Sequence, residues 1–465
     1  MANEALPAYL ASARPNPLSK RAPWYKTIAP SYAGIFLWIA FYDTLPRALG
    51  IGSLGAALLG LVLAGFISHF LFYYVFGTLG MKTGLPLYVV GSSTFGTKGG
   101  YLFPGIFMGL LQIGWYSVAT FYSAKLVLQA AGVEHPLTLY DPMEAERGFS
   151  LLFILVAAAW GYVFAFIGAL GVQYVARMSQ FFPVVPLVML ILAAAFGARG
   201  LGSYAPANKE PDNLAAICLM IQLVVGFFAT AGAAGVDFGT AARDGKDVSL
   251  GGLAGIAGAV IVTGGLATLA VAGALGIDPN MGSFLFRDAL KVVSPGMAKL
   301  MFLLFAIGSM APACFCASII GNSLSTMIPS LPRVGLTLGG ATIGIVLAAL
   351  GIAGNLGAFF GLIGASFGPI CGAIVADYIL SGRKWAGPRE GVSIAGYVAF
   401  IVGFLVGISN NAMVTQILGR ELLPDWHPTS VYSFLVGFVL YYVLAAAGLQ
   451  GKPVVLPAAQ ETAAA

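Results

Sequence analysis

The sequence predicts an all-α, polytopic membrane protein, and three observations carry that prediction: composition, the recurrence of long apolar runs, and glycine content. Hydrophobic residues make up 59% and charged residues 9% of the 465. Mean hydropathy is +0.90, outside the range of a soluble globular domain. Apolar runs of about 20 residues, enough to cross a hydrocarbon core of ~30 Å, recur from end to end. The 62 glycines suit the close helix approach of a lipid-embedded bundle. In lipid every backbone polar group needs an internal partner, which such runs provide as helices.

The first span reads from Ser31 to Leu49 and contains Asp43 within Phe36-Leu-Trp-Ile-Ala-Phe-Tyr-Asp-Thr-Leu-Pro-Arg47. A charge inside a span costs roughly 2.5 to 3.5 kcal/mol by insertion measurements, so it faces a cavity, a partner or an ion path. Pro46 follows, and the segment reads as a helix broken near mid-membrane. The next four spans are Leu54 to Leu79, Tyr101 to Ala131, Ser150 to Leu170 and Phe182 to Phe196. The sixth, Leu214 to Val236, carries Gly226-Phe-Phe-Ala-Thr-Ala-Gly-Ala-Ala-Gly235, a second weak point in a helix. Then come Leu250 to Leu275, Lys299 to Met327, Val334 to Ile352, Leu356 to Leu380, Val392 to Ile408 and Ser430 to Leu449, twelve in all.

Interruptions in spans one and six, five apart, are the pattern of two five-helix repeats of inverted topology. The organisation is then a tail (1–29), a first repeat (30–198), a second (199–382), two appended spans (383–450) and a C-terminal tail (451–465). Basic residues such as Lys20, Arg21, Lys26, Lys82, Lys98, Arg383 and Lys384 gather on one side. Acidic ones such as Glu134, Asp141, Glu210 and Glu421 gather on the other, so both termini are expected in the cytoplasm. A cell-membrane location follows, with the lipid bilayer as surroundings. No basic stripe with interleaved aromatics points to nucleic acid. The polar, proline-bearing first thirty residues do not read as a cleaved signal. Cys218, Cys314, Cys316 and Cys371 fall in predicted spans and read as free thiols. No metal spacing, phosphate loop or nucleophile elbow is present, which argues against a metal site, an ATP-driven pump and a membrane enzyme.

Three stretches resemble one family. They are Gly84-Leu-Pro-Leu-Tyr-Val-Val-Gly-Ser-Ser-Thr-Phe-Gly-Thr-Lys-Gly99, Gln112-Ile-Gly-Trp-Tyr116 and Gly368-Pro-Ile-Cys-Gly-Ala-Ile-Val-Ala-Asp-Tyr378. Together with the glycine-rich sixth span and Val236-Asp-Phe238, they are similar to the nucleobase cation symporter-1 family, in the branch of cytosine and purine permeases. The resemblance runs from about Pro30 to Tyr378. It implies a leucine-transporter-like fold, two five-helix inverted repeats plus two helices, and a symporter that imports a small planar nucleobase. Another heterocycle (a hydantoin, allantoin, a vitamin precursor), an amino acid or an uncoupled facilitator are the alternatives, because fold does not fix ligand.

Gln112 and Trp115, three apart on one helix, share a face. An indole stacks a flat ring and an amide reads its edge; in the resembled family these residue types line the substrate site. The resemblance makes Phe228 a second aromatic wall and Thr230 a hydrogen-bonding group on an unwound part of span six, with Phe41 a third wall. Each phenylalanine also suits plain core packing. Asp43 reads as a proton site or substrate partner, as a partner of Arg47 at i, i+4, or as a helix cap. Span eight, Gly308-Ser-Met-Ala-Pro-Ala-Cys-Phe-Cys-Ala-Ser318, departs from the family. Ser309 could serve a coupling ion, but Met310 is a poor ligand for a hard cation. Phe315 stands where the resemblance implies an asparagine toward substrate. Pro312 resembles the proton-coupled branch, so the coupling ion reads as H+ before Na+, with no other cofactor. Asp237 and Asp377 read as architectural or gating residues bonded to local backbone or to Arg243 or Lys384. His69, alone among three histidines in lying within a span, reads as packing or as a proton relay.

Overall fold

The computed structural model describes residues 6–141, 146–170, 174, 183–328 and 330–454. Phe182, the start of the predicted fifth span, lies outside them, as do the ends of both predicted tails. The described chain is helical, with isolated bridges only at Thr138 with Arg147 and Arg389 with Pro453.

The first predicted span is two helices, α1 (Ile28–Phe36) and α2 (Ile39–Tyr42), continued by a 3-10 turn over Leu45–Gly50 and bent by 59°. The break is not where Pro46 implied it. It falls at Leu37 and Trp38, where Trp38 takes extended backbone (φ −81, ψ 132). Pro46 sits inside the first turn of the 3-10 segment, a position whose N–H needs no intrahelical partner. Next come α3 (Leu54–Thr83) and a short α4 (Leu87–Val90), then α5 (Ser92–Ala130), which begins nine residues before the predicted third span. Gly96 interrupts its first turns with φ 83, a conformation open to glycine.

The order continues through α6 (Leu151–Leu170), α7 (Val184–Ser203), α8 (Asn213–Ala233), a short α9 (Gly235–Gly239), α10 (Gly245–Ile277) and a crossing helix α11 (Phe286–Val293). Span eight is α12 (Ala298–Gly308) and α13 (Met310–Met327), separated at Ser309. Then come α14 (Arg333–Ala349), α15 (Leu356–Leu380), α16 (Ile394–Gly407) and α17 (Thr429–Ala446). Among the described residues nine helices are long and apolar enough to cross a membrane, the bent first pair acts as one more, and α14 and α16 are shorter apolar helices. Each predicted span thus holds a helix or a broken pair.

The helices α8 and α15 are the most enclosed and pack on each other, α8 also on α3 and α15 on α17. At the periphery α6 and α7 turn Leu155, Phe166 and Ile191 outward, as lipid contact requires. The helices α3 and α9 meet backbone to backbone. A Cβ on Gly80 or Gly239 would run into the carbonyl of Val236 or Gly77, so only glycine permits that approach. The kink between α8 and α9 is confined to Ala234, and Phe228 and Thr230 lie in regular helix rather than in an unwound stretch.

The N-terminal segment, expected as a tail, is bound along one end of the bundle. Asn16 Nδ2 donates to Thr240 O at 2.9 Å, Arg21 donates to Met81 O at 2.6 Å, and Ala22 N donates to Ala241 O at 3.0 Å.

Candidate functional site

Mid-span on α5, Trp115 is the centre of an aromatic cluster. Its ring meets Phe227 at 4.9 Å and 73°, Phe359 at 4.9 Å and 81°, Phe360 at 5.7 Å and Trp38 at 5.7 Å. Edge-to-face contacts of this kind follow from the ring quadrupole. The cluster closes because glycine lets α8 and α15 approach: a Cβ on Gly226 would lie 2.7 Å from Phe360 O. Trp115 Nε1 donates to Thr230 Oγ1 at 3.2 Å, so two residues singled out in the sequence, 115 apart, are in direct contact.

Gln112 is buried one turn before Trp115. Its amide donates to Met108 Sδ at 3.6 Å, a weak acceptor, and makes no other hydrogen bond among the described residues. Phe41 joins the cluster through Phe227, 4.8 Å away, and Phe36, 4.9 Å away. Phe228 does not face Trp115. It stacks on Phe36 at 5.6 Å and 24° and touches Tyr32 at 5.7 Å. The neighbouring Phe227 takes the position opposite Trp115, because consecutive helical residues point about 100° apart.

Trp38, Phe227, Phe359 and Phe360 complete the cluster and were not singled out in the sequence. Trp38 is 3% exposed and its Nε1 has no hydrogen-bond partner, an orphan donor of the kind native proteins rarely leave without a role. No sequence signal marked it, since Trp38 reads as an ordinary apolar residue of the first span.

Phe315 lies away from Trp115 and stacks on Phe238 at 6.3 Å and 15°. Phe238 touches Tyr32, and through it Phe228. Ser309, fully buried, occupies the interruption of span eight, but its hydroxyl donates to Phe305 O of its own helix at 3.0 Å. No group of metal-binding side chains is found among the described residues.

Asp43 is fully buried and does not pair with Arg47. Its Oδ1 accepts from Arg287 N at 3.0 Å, its Oδ2 lies 3.2 Å from the Arg287 guanidinium, and its carbonyl accepts from Phe286 N at 3.0 Å. It therefore caps the start of α11, not of the half-helix in its own span. Arg47 pairs with Asp425 at an exposed 3.3 Å contact. Arg287 also lies over the Tyr122 ring at 5.6 Å, and a second buried pair, Lys125 with Asp141 at 2.8 Å, is on the same end of α5.

At the opposite end Asp377 is held by four side chains. Arg389 pairs with it at 3.0 Å, Tyr441 donates at 2.9 Å, Ser93 at 2.6 Å and Thr94 at 3.3 Å. Trp385 Nε1 donates to Val90 O at 2.9 Å beside it. The Gly84 to Gly99 motif is thus tied to α15, α17 and the segment after α15. Asp237 accepts from Leu87 N at 3.1 Å and caps α4, while Arg243 pairs with Asp247 at 2.7 Å. Of the partners expected, Asp237 takes backbone, though from Leu87 rather than a sequence neighbour, and not Arg243, while Asp377 takes a basic side chain, Arg389 rather than Lys384.

A family model described as a permease for cytosine/purines, uracil, thiamine and allantoin matches residues 44–437. The chain belongs to this permease family. Among curated relatives, cytosine permease of Escherichia coli (strain K12) is 27% identical over 344 residues, 71% of each chain. The permease also shares its fold with Mhp1, a nucleobase-cation-symport-1 family transporter solved in a closed conformation with bromovinylhydantoin bound. The TM-score is 0.69 at 16% identity, over 96% of each chain. A Na+-coupled sialic acid symporter in a substrate-bound outward-open state matches with a TM-score of 0.57 at 12% identity, over 97% of this chain and 95% of that one. The permease is therefore a multi-pass membrane transporter of the nucleobase cation symporter-1 family with a leucine-transporter-like fold, not an enzyme.

Proposed function

We propose that this permease moves a small planar nucleobase, such as cytosine or a purine, into the cell by alternating access, driven by a proton gradient. Both chain termini then face the cytoplasm, as the basic rim favours. The observation that carries the reading is the cluster around Trp115 at the broken first span: flat rings on several sides, with polar atoms few and placed. Trp115 Nε1 with Thr230, the unpartnered Trp38 Nε1 and the Gln112 amide supply donors and acceptors in an otherwise apolar setting. A planar base needs that combination, with stacking for affinity and edge bonds for selection. Substrate seats where the rings now close on one another, by parting Trp115 from Phe227.

The family and the cytosine permease relatives support the nucleobase class. Proton rather than sodium coupling is favoured because the Ser309 hydroxyl is already bonded within its own helix, and one hydroxyl beside Met310 is a poor hard-cation site. The test is uptake of labelled cytosine, adenine, uracil and hypoxanthine into proteoliposomes under a proton gradient, a sodium gradient and neither. Accumulation of one base under the proton gradient is expected. Uptake of none by folded protein would turn the search to hydantoins, allantoin and other heterocycles, and equal uptake without a gradient would make it a facilitator.

A further inference from the structure

Asp237 is held by the backbone N–H of Leu87, and four other carboxylates in and beside the spans are matched to cations: Asp43 by Arg287, Asp141 by Lys125, Asp247 by Arg243 and Asp377 by Arg389. Adding a proton to any of those four strands a buried or half-buried cation, which is costly. His69 differs. It is fully buried in α3 and neither ring nitrogen has a hydrogen-bond partner. It also lies on a π-helical turn, Ser68–Tyr73, that packs against a second such turn, Leu253–Gly258 in α10. Widened turns of this type concentrate at functional sites.

We propose that His69 is the proton-binding residue of the transport cycle. The inference rests on the proton-coupled reading above. A neutral imidazole takes up a proton without breaking an ion pair, and histidine is the side chain suited to that exchange. The surroundings give that charge a lever. From its own helix the ring faces Phe70, Tyr73 and Tyr74, with centroids at 4.6, 5.8 and 6.2 Å. From α10 it faces Gly252, which has room for no side chain against it. Tyr73 donates to Val248 O at 3.1 Å and meets Tyr32 of α1 at 5.3 Å, and Tyr32 donates to Ala231 O beside the kink of span six at 2.9 Å. Tyr73 and Tyr74 are the titratable side chains in ring contact with it, and among the described residues no charged side chain is hydrogen-bonded or ion-paired to it. An imidazolium at this place demands water or a counter-charge, because burying it bare is expensive. Protonation therefore favours a conformation in which the seam between α3 and α10 opens, and that seam is joined through Tyr73 and Tyr32 to the broken span beside the aromatic cluster.

The chain has three histidines, so the double variant His135→Gln/His427→Gln leaves His69 as the one imidazole. Side-chain NMR of that variant in lipid nanodiscs is expected to show a ring that protonates reversibly on acidification, within the pH range over which the fold survives. In proteoliposomes a gradient of one pH unit supports about tenfold accumulation per proton. The double variant is expected to keep that accumulation and His69→Gln to lose it. A ring silent across the range, sodium-only accumulation, or proton-driven accumulation by folded His69→Gln would each overturn the proposal. Failure of the wild type to carry any base would remove the nucleobase reading alone, since the titration needs no substrate.

Discussion

The two ends of the bundle each bury an ion pair, and they are built differently. Asp377, at the end where the N-terminal segment binds, is saturated: both its oxygens take hydroxyl donors and Arg389 adds charge. Asp43, at the other end, has one aligned bond, from Arg287 N, and its second oxygen faces the guanidinium at 3.2 Å without a well-directed hydrogen bond. A saturated carboxylate in a low-dielectric setting is a fixed joint. A pair resting on one residue of a short crossing helix is a contact that a small displacement undoes. Equal burial thus conceals unequal strength, and strength follows from how many donors reach each carboxylate.

Breaking the two joints ranks them. Asp377→Ala leaves Arg389, Ser93, Thr94 and Tyr441 without their acceptor and is expected to cost about 3 to 5 kcal/mol, the usual result of halving a buried pair. Detergent-resistant folding and thermal melting would show it, and a wild-type melting temperature would refute the idea of a fixed joint. Asp43→Ala strands the buried Arg287 guanidinium but removes fewer bonds, and is expected to fall at the lower end of that range, about 3 kcal/mol. If Asp43→Ala proved the more damaging on the same melting assay, the ranking would be inverted.

Trp115→Ala tests the region between the joints. It is expected to weaken base binding to the folded protein by about 1 to 3 kcal/mol, and unchanged affinity by calorimetry would sink the stacking role. The smallest effect belongs to Arg47→Ala. Its partner Asp425 is exposed, and such pairs contribute about 0 to 1 kcal/mol, so both melting and uptake should stay within error.

Helical class and span positions were legible because apolar length is a one-dimensional property, written in consecutive residues. The contact of Trp115 with Thr230 was half legible, since each residue stood out but their meeting depends on how α5 and α8 pack. What could not be read was phase and partnership. Phe227 and Phe228 are chemically alike, and only the rotation of α8 decides which one meets Trp115. Asp43 finds Arg287 across 244 residues, while the nearby Arg47 looked the better partner by helix spacing. The break at Leu37 and Trp38 left no mark in sequence at all, for both are ordinary helix residues. Proline drew attention instead to Pro46, which the chain accommodates in a 3-10 turn.

The glycine seam between α3 and α9 has a thermal consequence. Gly80 and Gly239 meet neighbouring backbone with no side chain between, so at those contacts no rotamer is frozen when the seam forms and no side-chain entropy is lost. A joint of that kind has nothing to melt gradually on warming: it offers one geometry or separation. The thermal softness of this carrier therefore belongs elsewhere, in the turn at Trp38 and the short crossing helix, where rings and long side chains have other wells to visit.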